Sequence, residues 1–162
     1  MCLQSDPGTR NRRKEMKEHF FTSELRLAPS PSEIFPFFAD ARNLGSITPP
    51  WMHFQILTPG NIEMGVGALI DYRIKIHGLP VRWRTKITVW EPPFRFVDEQ
   101  VKGPYQRWVH EHRFAESGKG TLCHDQVRYA IFGGWLVNQL FVERDIKEIF
   151  AFRANKLTEL FG

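Results

Sequence analysis

Apolar and polar side chains alternate with a period of two through most of the chain between residues 19 and 131. In the stretch RWVHEHRF, residues 107–114, one face carries Trp108, His110, His112 and Phe114. This period is typical of β-strands with one buried face. Pro and Gly turns separate most of the alternating segments, as in hairpins and meanders. The pattern predicts strands over residues 19–27, 53–57, 68–77, 81–91, 94–102, 105–115 and 121–131.

Helical signals stand apart from the strands. Ser30, Pro31 and Glu33 form a capping pattern that predicts a short helix ending near Phe38, and Asp40 caps a second one through residue 44. Residues 135–161 contain no Pro or Gly, and apolar residues recur there at helical spacing, which predicts one long amphipathic helix. Its expected apolar stripe is Leu136, Leu140, Val142, Ile146, Ile149, Phe150, Leu157 and Leu160. Segregated helices and strands indicate an α+β fold with an antiparallel sheet.

The net charge of +4 comes largely from a basic cluster near the N-terminus, which comprises Arg10, Arg12, Arg13, Lys14 and Lys17. Residues 1–16 are predicted to be a disordered basic tail and residues 17–162 a single domain. Translation from Met16 instead of Met1 is equally compatible with this division. No motif of a nucleic-acid-binding module occurs, so a nucleic-acid partner is not expected.

Cysteine content and hydropathy point to a cytoplasmic protein. The two cysteines are Cys2, in the predicted tail, and Cys123, so a structural disulfide between them is not expected. No apolar run reaches the roughly 18 residues that a membrane span requires, and stable membrane insertion is therefore not expected.

Polar residues recur on strand faces that are otherwise apolar and are therefore predicted to point inward. Each one left unpaired in a solid core would cost about 1–3 kcal/mol, so these groups must pair with each other, with water or with a ligand. An apolar pocket with a few convergent polar groups is the usual form of a small-molecule site. We expect His110 and His112 to face such a pocket, with Asp98 and Asp125 in reach. The candidate ligand-binding residues are Tyr72, Trp83, Thr85, Phe96, Asp98, Gln100, Trp108, His110, His112, Asp125 and Tyr129.

The two histidines admit other interpretations. They can form a buried polar network with Asp98 and Asp125 that fixes the pairing of the strands. They can bind a metal ion together with Asp125 or Cys123, although no spaced metal-binding motif accompanies them and we predict no metal. One of them can act as a general base that an aspartate orients. No serine-nucleophile or phosphate-binding motif is present, and we assign no catalytic residue and no cofactor.

Four segments carry a resemblance to a known family: FFTSELRLAPSPSEIFPFFAD from residue 20, WEPPFRFVDEQ from residue 90, GPYQRWVHEHRF from residue 103 and DQVRYAIFGGWL from residue 125. They resemble the SRPBCC superfamily, also called START-like or helix-grip proteins, and within it the branch of polyketide cyclases/dehydrases and coenzyme Q-binding proteins. The resemblance spans about residues 17–162. It implies a curved sheet of about seven strands that grips a long C-terminal helix, with two short helices and a cavity for lipids, quinones or polyketides.

Such a fold serves carriers, sensors and enzymes alike, so it does not specify one function. We expect a non-catalytic protein that binds an apolar or amphipathic small molecule as carrier, sensor or chaperone. The alternative is a cyclase/dehydratase in which His110 or His112 is the general acid/base and Tyr72 or Tyr129 a proton donor. A third possibility is a module that modifies a partner protein or a respiratory complex. The sequence alone leaves the ligand and the oligomeric state open.

Overall fold

A seven-stranded antiparallel sheet forms the centre of the protein. The computed structural model describes residues 16–162, so the predicted N-terminal tail lies outside the described residues apart from Met16. The strand order across the sheet is β1-β7-β6-β5-β4-β3-β2, with every strand antiparallel to its neighbours. The strands are β1 (His19–Leu27), β2 (Gln55–Ile56), β3 (Leu69–Ile76), β4 (Leu79–Glu91), β5 (Arg95–Lys102), β6 (Arg107–Ser117) and β7 (Gly120–Ala130). The predicted α+β class and antiparallel sheet are confirmed.

Short helices follow β1 as the capping pattern predicts. Helix α1 spans Pro31–Phe38, and the carboxylate of Glu33 accepts hydrogen bonds from both the backbone N–H and the hydroxyl of Ser30. A 3₁₀ helix then runs over Ala41–Ile47, and the Asp40 side chain accepts from the backbone N–H of Arg42 at its start. It extends three residues beyond the predicted end, and a further 3₁₀ turn covers Pro50–Met52.

The C-terminal helical segment comprises α2 (Gly134–Val137), a π-helical turn (Asn138–Val142) and α3 (Glu143–Phe161). Ile146, Phe150 and Leu157 are buried, as the stripe predicts. Leu136, Leu140 and Leu160 are exposed, so their assignment to the stripe is wrong. The π turn breaks the 3.6-residue period and puts the residues before it out of phase with those after it. At the other end Phe161, and not Leu160, packs inward, with its ring 5.1 Å from that of Phe37.

Strict alternation over residues 81–91 and 94–102 predicts that Val89 and Phe94 face inward with Ile87 and Phe96, and the structure corrects both predictions. A register shift between Ile87 and Val89 reverses the alternation on β4, so Trp90 packs against the core in the position expected for Val89. Phe94 precedes the first residue of β5 and is 53% exposed. Bulges and strand ends both interrupt the period-two rule, and neither leaves a clear mark on the hydrophobic pattern.

The core divides into two apolar clusters. The first lies under α1 and contains Leu27, Ile34, Phe35, Ile47, Ile87, Phe96, Phe114, Cys123 and Leu157. The second contains Val127, Tyr129, Ile146 and Phe150. On β7 the inward residue between the two clusters is Asp125, which lies between Cys123 and Val127. The polar residues of the central strands therefore occupy the boundary between the two clusters. No helix in residues 16–162 combines the length and apolarity needed to cross a membrane.

Candidate functional site

A cavity of about 460 Å³ lies between the sheet and helix α3. Strands β3 and β4 contribute one wall, with Ile70, Ile74 and Ile87 pointing inward. The opposite wall includes Ile146 and Ile149 of α3, and the two 3₁₀ helices complete it with Leu44, Ile47, Trp51 and Met52. The volume and the predominantly apolar walls are those of a small-molecule site.

Eight of the eleven predicted contact residues line this cavity. They come from four neighbouring strands, β3 to β6, because alternate residues of each strand face the helix. These residues are Tyr72, Trp83, Thr85, Phe96, Asp98, Trp108, His110 and His112.

The structure places the other three predicted residues outside the cavity wall. Gln100 bridges the β5–β6 turn, where its amide donates to the Tyr105 carbonyl at 2.8 Å and its side-chain oxygen accepts from the Tyr105 N–H at 3.2 Å. Asp125 borders a small cleft next to the cavity, together with His112. Tyr129 is buried in the second core cluster, where its ring stacks 5.4 Å from that of His19. Strand alternation identifies inward positions, but it does not separate those that border a hollow from those that fill the core.

His110, His112, Asp98 and Asp125 form one compact group, which we call the Asp–His cluster. Nε2 of His110 lies 2.8 Å from Oδ1 of Asp125, and Nδ1 of His112 lies 2.8 Å from the same oxygen. Nε2 of His112 lies 3.0 Å from Oδ2 of Asp98, whereas Nδ1 of His110 is 3.7 Å from that oxygen. Each carboxylate thus faces both imidazoles.

Strand pairing produces this arrangement directly. Asp98 on β5 lies opposite His110 on β6, and His112 lies opposite Asp125 on β7. Because the two histidines are two residues apart, they project on the same face, and their ring centroids are 3.7 Å apart. The ring of Phe96 stacks on His112 at 4.1 Å and closes one side of the cluster.

Burial and pairing shift the pKa values of the two histidines in opposite directions. Burial alone would raise the pKa of both carboxyl groups, but contacts with the imidazoles outweigh it, so the pKa of Asp98 falls below its usual value and that of Asp125 falls well below it. Burial would lower the pKa of His112, but both carboxylates raise it above the usual value. Burial and the charge of His112 together lower the pKa of His110, despite Asp125.

These shifts agree with the geometry. The three nitrogens within 3.0 Å of a carboxylate oxygen require three N–H groups, which an imidazolium at His112 and a neutral His110 protonated at Nε2 supply. The more distant Nδ1 of His110 then carries no proton. With His112 protonated, which its raised pKa favours, the cluster holds two carboxylates and one imidazolium.

A metal ion could reach part of the same cluster. Candidate ligand atoms of Asp98, His110 and His112 lie within 4.8 Å of one another. Ligation would require both imidazoles to be unprotonated at the binding nitrogen, whereas His112 uses its two N–H groups on the carboxylates. The cluster satisfies itself without an ion, and the absence of a metal remains our prediction.

Several cavity residues come from α3, which the sequence analysis treated only as an apolar cover. Arg153, Asp145 and Glu148 all line the cavity. Asp145 accepts from His77, which lies just after β3, at 2.7 Å, and this pair joins the sheet to the helix beside the cavity. A signal for Arg153 was present in the sequence, because it lies seven residues after Ile146 and therefore on the same helix face.

Tyrosines on the cavity wall keep their protons. Burial is the main cause that raises the pKa of Tyr72 well above its usual value, and the negative charge of Asp98 raises it further. Burial likewise raises the pKa of Tyr105. At neutral pH both side chains are therefore hydrogen-bond donors to the cavity and not anions.

Comparison with known proteins agrees with this architecture. The family described as polyketide cyclase/dehydrase and lipid transport matches residues 27–155. No curated protein sequence matches the chain.

Many solved structures share the fold at low sequence identity. The Zhui aromatase/cyclase from Streptomyces sp. R1128 aligns with a TM-score of 0.68 and 14% identity over 88% of this chain and 93% of its own. A norcoclaurine synthase point mutant from Thalictrum flavum, in complex with a transition-state analogue, aligns with a TM-score of 0.66 and 16% identity over 91% of this chain and 96% of its own. Protein CV1439 from Chromobacterium violaceum aligns with a TM-score of 0.69 and 11% identity over 87% of this chain and 95% of its own. At these identities the likeness shows the fold alone, and it confirms the expected helix-grip architecture.

Proposed function

The chain belongs to the polyketide cyclase/dehydrase and lipid-transport family of the helix-grip superfamily, and on that premise we propose that it binds an apolar or amphipathic small molecule in the cavity between sheet and helix. A lipid, a quinone or a polyketide-like molecule has the required character. The protein then acts as a carrier, sensor or chaperone of that molecule. Because the thiol of Cys123 is free, we also propose a reducing, cytoplasmic location.

The cavity is the observation that carries this proposal. Its volume of about 460 Å³ and its lining by isoleucines and aromatic rings favour an apolar occupant. Apolar surface that leaves water on binding stabilises a complex by about 25 cal/mol per Å². Polar groups form the smaller part of the wall, and some of them would orient one end of the molecule.

Within this mechanism the Asp–His cluster supports the wall. Its polar atoms are largely paired with each other, so the cluster does not depend on a ligand for its hydrogen bonds. We propose that direct contacts come instead from the ring faces of Trp83, Trp108 and Phe96 and from the hydroxyl of Tyr72.

The experiment is native mass spectrometry of protein purified from its natural host, followed by organic extraction and binding of N-phenyl-1-naphthylamine, a neutral apolar fluorescent probe. Ile70→Trp fills the cavity from β3, and Leu69→Trp is the matched control because Leu69 is exposed beside it. We expect I70W to weaken probe binding at least tenfold and L69W to leave it unchanged. Circular dichroism verifies that both variants fold. Equal binding by I70W, L69W and the wild type would contradict the proposal.

One observation favours a second candidate, a cyclase or dehydratase. His110 lines the cavity, is neutral, and is held at Nε2 by Asp125, which is the arrangement of an oriented general base. Tyr72, still protonated, lies on the same cavity wall as a hydrogen-bond donor.

Turnover separates this candidate from a carrier, which only exchanges its ligand. Incubation with a linear poly-β-ketone probe, followed by mass spectrometry, detects ring closure or loss of water. An enzyme would lose this activity in the variant H110Q. It would keep the activity in H124Q, because His124 alternates with the inward residues Cys123 and Asp125 on β7. Product formation at the rate of the protein-free control would exclude this candidate for that substrate class.

A further inference from the structure

Two hydrogen-bond donors on the cavity wall have no acceptor in the described part of the chain. Nε1 of Trp83 and Nε of Arg153 are both buried without a hydrogen-bond partner. Both residues line the cavity, and Trp83 is only 6% exposed. Indole and guanidinium groups donate hydrogen bonds and never accept them. The missing complement at both positions is therefore an acceptor, and oxygen is the usual one.

The two donors approach the same region from opposite walls. Trp83 is on β4, and its ring stacks 5.9 Å from that of Tyr72. Arg153 is on α3, where its guanidinium carbon lies 5.1 Å over the ring of Phe150. The charge of Arg153 acts on Tyr72 and on Asp98. Trp83 packs on Trp108 and Arg153 packs on Phe150, and these two rings lie 6.4 Å and 5.4 Å from the ring of His110, so both donors border the part of the cavity next to the Asp–His cluster.

The nearby carboxylates are already used by other groups. Oδ1 of Asp125 faces both histidines, and Asp98 accepts from His112 at 3.0 Å and from Thr85 at 3.4 Å. Among the described residues, Arg153 forms no ion pair. Arg153 as a whole is half-buried, but its Nε is shielded from solvent, and a buried donor without an acceptor is unfavourable, so a bound oxygen acceptor would relieve this cost.

We propose that the ligand enters with an oxygen acceptor, a carboxylate or a ketone carbonyl, at its leading end, and that Arg153 and the indole N–H of Trp83 bind this oxygen. The apolar remainder of the ligand lies along the isoleucine walls. A purely hydrocarbon ligand would leave both donors unpaired. The inference rests on the proposed binding function and adds the chemistry of the ligand's polar end.

The test compares three probes: N-phenyl-1-naphthylamine, which has no oxygen, decanoic acid and 2-undecanone. Direct fluorescence measures the first, and its displacement measures the other two. The variants are R153M and W83F, which keep most of each side chain's bulk. The controls are K147M on the outer face of α3, where Lys147 is paired with Glu143, and W90F, where Trp90 packs against the first core cluster outside the cavity.

We expect R153M to weaken decanoic acid binding at least about tenfold, as for loss of a charge-assisted hydrogen bond, and W83F to weaken it several-fold. Both variants should bind N-phenyl-1-naphthylamine within twofold of the wild type, and R153K should recover part of the affinity. If R153M and W83F also weaken the binding of 2-undecanone, the natural ligand carries a ketone or quinone oxygen. If they weaken only the binding of decanoic acid, it carries a carboxylate.

Two results would overturn the inference and leave the binding function standing. In the first, R153M and W83F weaken all three probes equally, which indicates damage to the cavity. In the second, neither variant changes the binding of decanoic acid or 2-undecanone relative to K147M and W90F. If the wild type binds none of the three probes, both the inference and the binding function fail.

Discussion

Replacing Asp125 by Asn tests the energetic role of the Asp–His cluster most directly. Asn has nearly the same shape but removes the charge that faces both histidines at 2.8 Å. Loss of one partner from a buried ion pair costs about 3–5 kcal/mol, because the remaining charge stays buried. The Asp125 side chain is 17% exposed, and an amide oxygen still accepts one hydrogen bond, so the lower end applies. We expect D125N to lower the free energy of unfolding by about 3 kcal/mol.

Urea denaturation at pH 7, followed by tryptophan fluorescence, measures this change. With a slope of about 2 kcal/mol per M, the midpoint should fall by about 1.5 M, and the thermal midpoint should fall by about 6–12 °C. The control is D71N, which breaks the exposed pair with Arg84, where the Asp71 side chain is 37% exposed. We expect D71N to lower the free energy of unfolding by at most about 1 kcal/mol.

A double-mutant cycle with H112Q isolates the interaction itself. We expect D125N and H112Q to couple by more than about 1 kcal/mol, because the two side chains touch. If D125N costs no more than D71N and shows no coupling to H112Q, the cluster does not hold the two halves of the core together and the reasoning fails.

Four further predictions follow from the same structure. The raised pKa of His112 means that its stabilising contribution is complete below its unfolded pKa of about 6.5 and is lost as the pH rises through the folded value, so the stability difference between wild type and H112Q should shrink above pH 6.5 in urea titrations at successive pH values. G120A should unfold at lower temperature, because a Cβ there would overlap the carbonyl oxygen of Leu27, and an unchanged melting curve would refute this. T121V should cost about 1 kcal/mol in urea, because the buried hydroxyl donates to the Pro29 carbonyl at 2.7 Å, and T22V on the exposed face of β1 is its control. Inductively coupled plasma mass spectrometry should find no stoichiometric metal in the purified protein, and EDTA should not change its melting temperature. A bound ion that EDTA removes would contradict the pairing of both histidines with Asp98 and Asp125.

The sequence predicted those parts of the site that depend on strand alternation. A period of two places His110 and His112 on one face, and antiparallel neighbours bring Asp98 and Asp125 alongside them. Helical spacing over residues 135–161 predicted the long helix, polar residues on inward strand faces predicted a pocket, and the resemblance to a known family placed that helix over the sheet. Strand alternation and family resemblance each depend on many residues along the chain, so one irregular position does not hide them.

The position of a β-bulge and the rotation of a helix each depend on one local arrangement, and the hydrophobic pattern did not predict them. One bulge on β4 exchanges the roles of Val89 and Trp90, although the hydrophobic pattern around them suits either. Spacing places Arg153 on the helix face of Ile146, but whether that part of the face meets the cavity or the solvent depends on how α3 is rotated against the sheet. Such outcomes are decided by tertiary packing, which local sequence preference does not determine.

The π-helical turn at Asn138–Val142 has a consequence for insertions and deletions. A π turn is an α-helix that carries one surplus residue in a single turn. Deleting that residue would restore regular winding and rotate everything before it by about 100° around the helix axis. The exposed apolar side chains of Trp135 and Leu136 would then face a new direction, while Ile146 and Arg153 kept their places against the cavity. A change of one codon in length could thus re-aim the outer end of the helix and leave the ligand-facing end untouched.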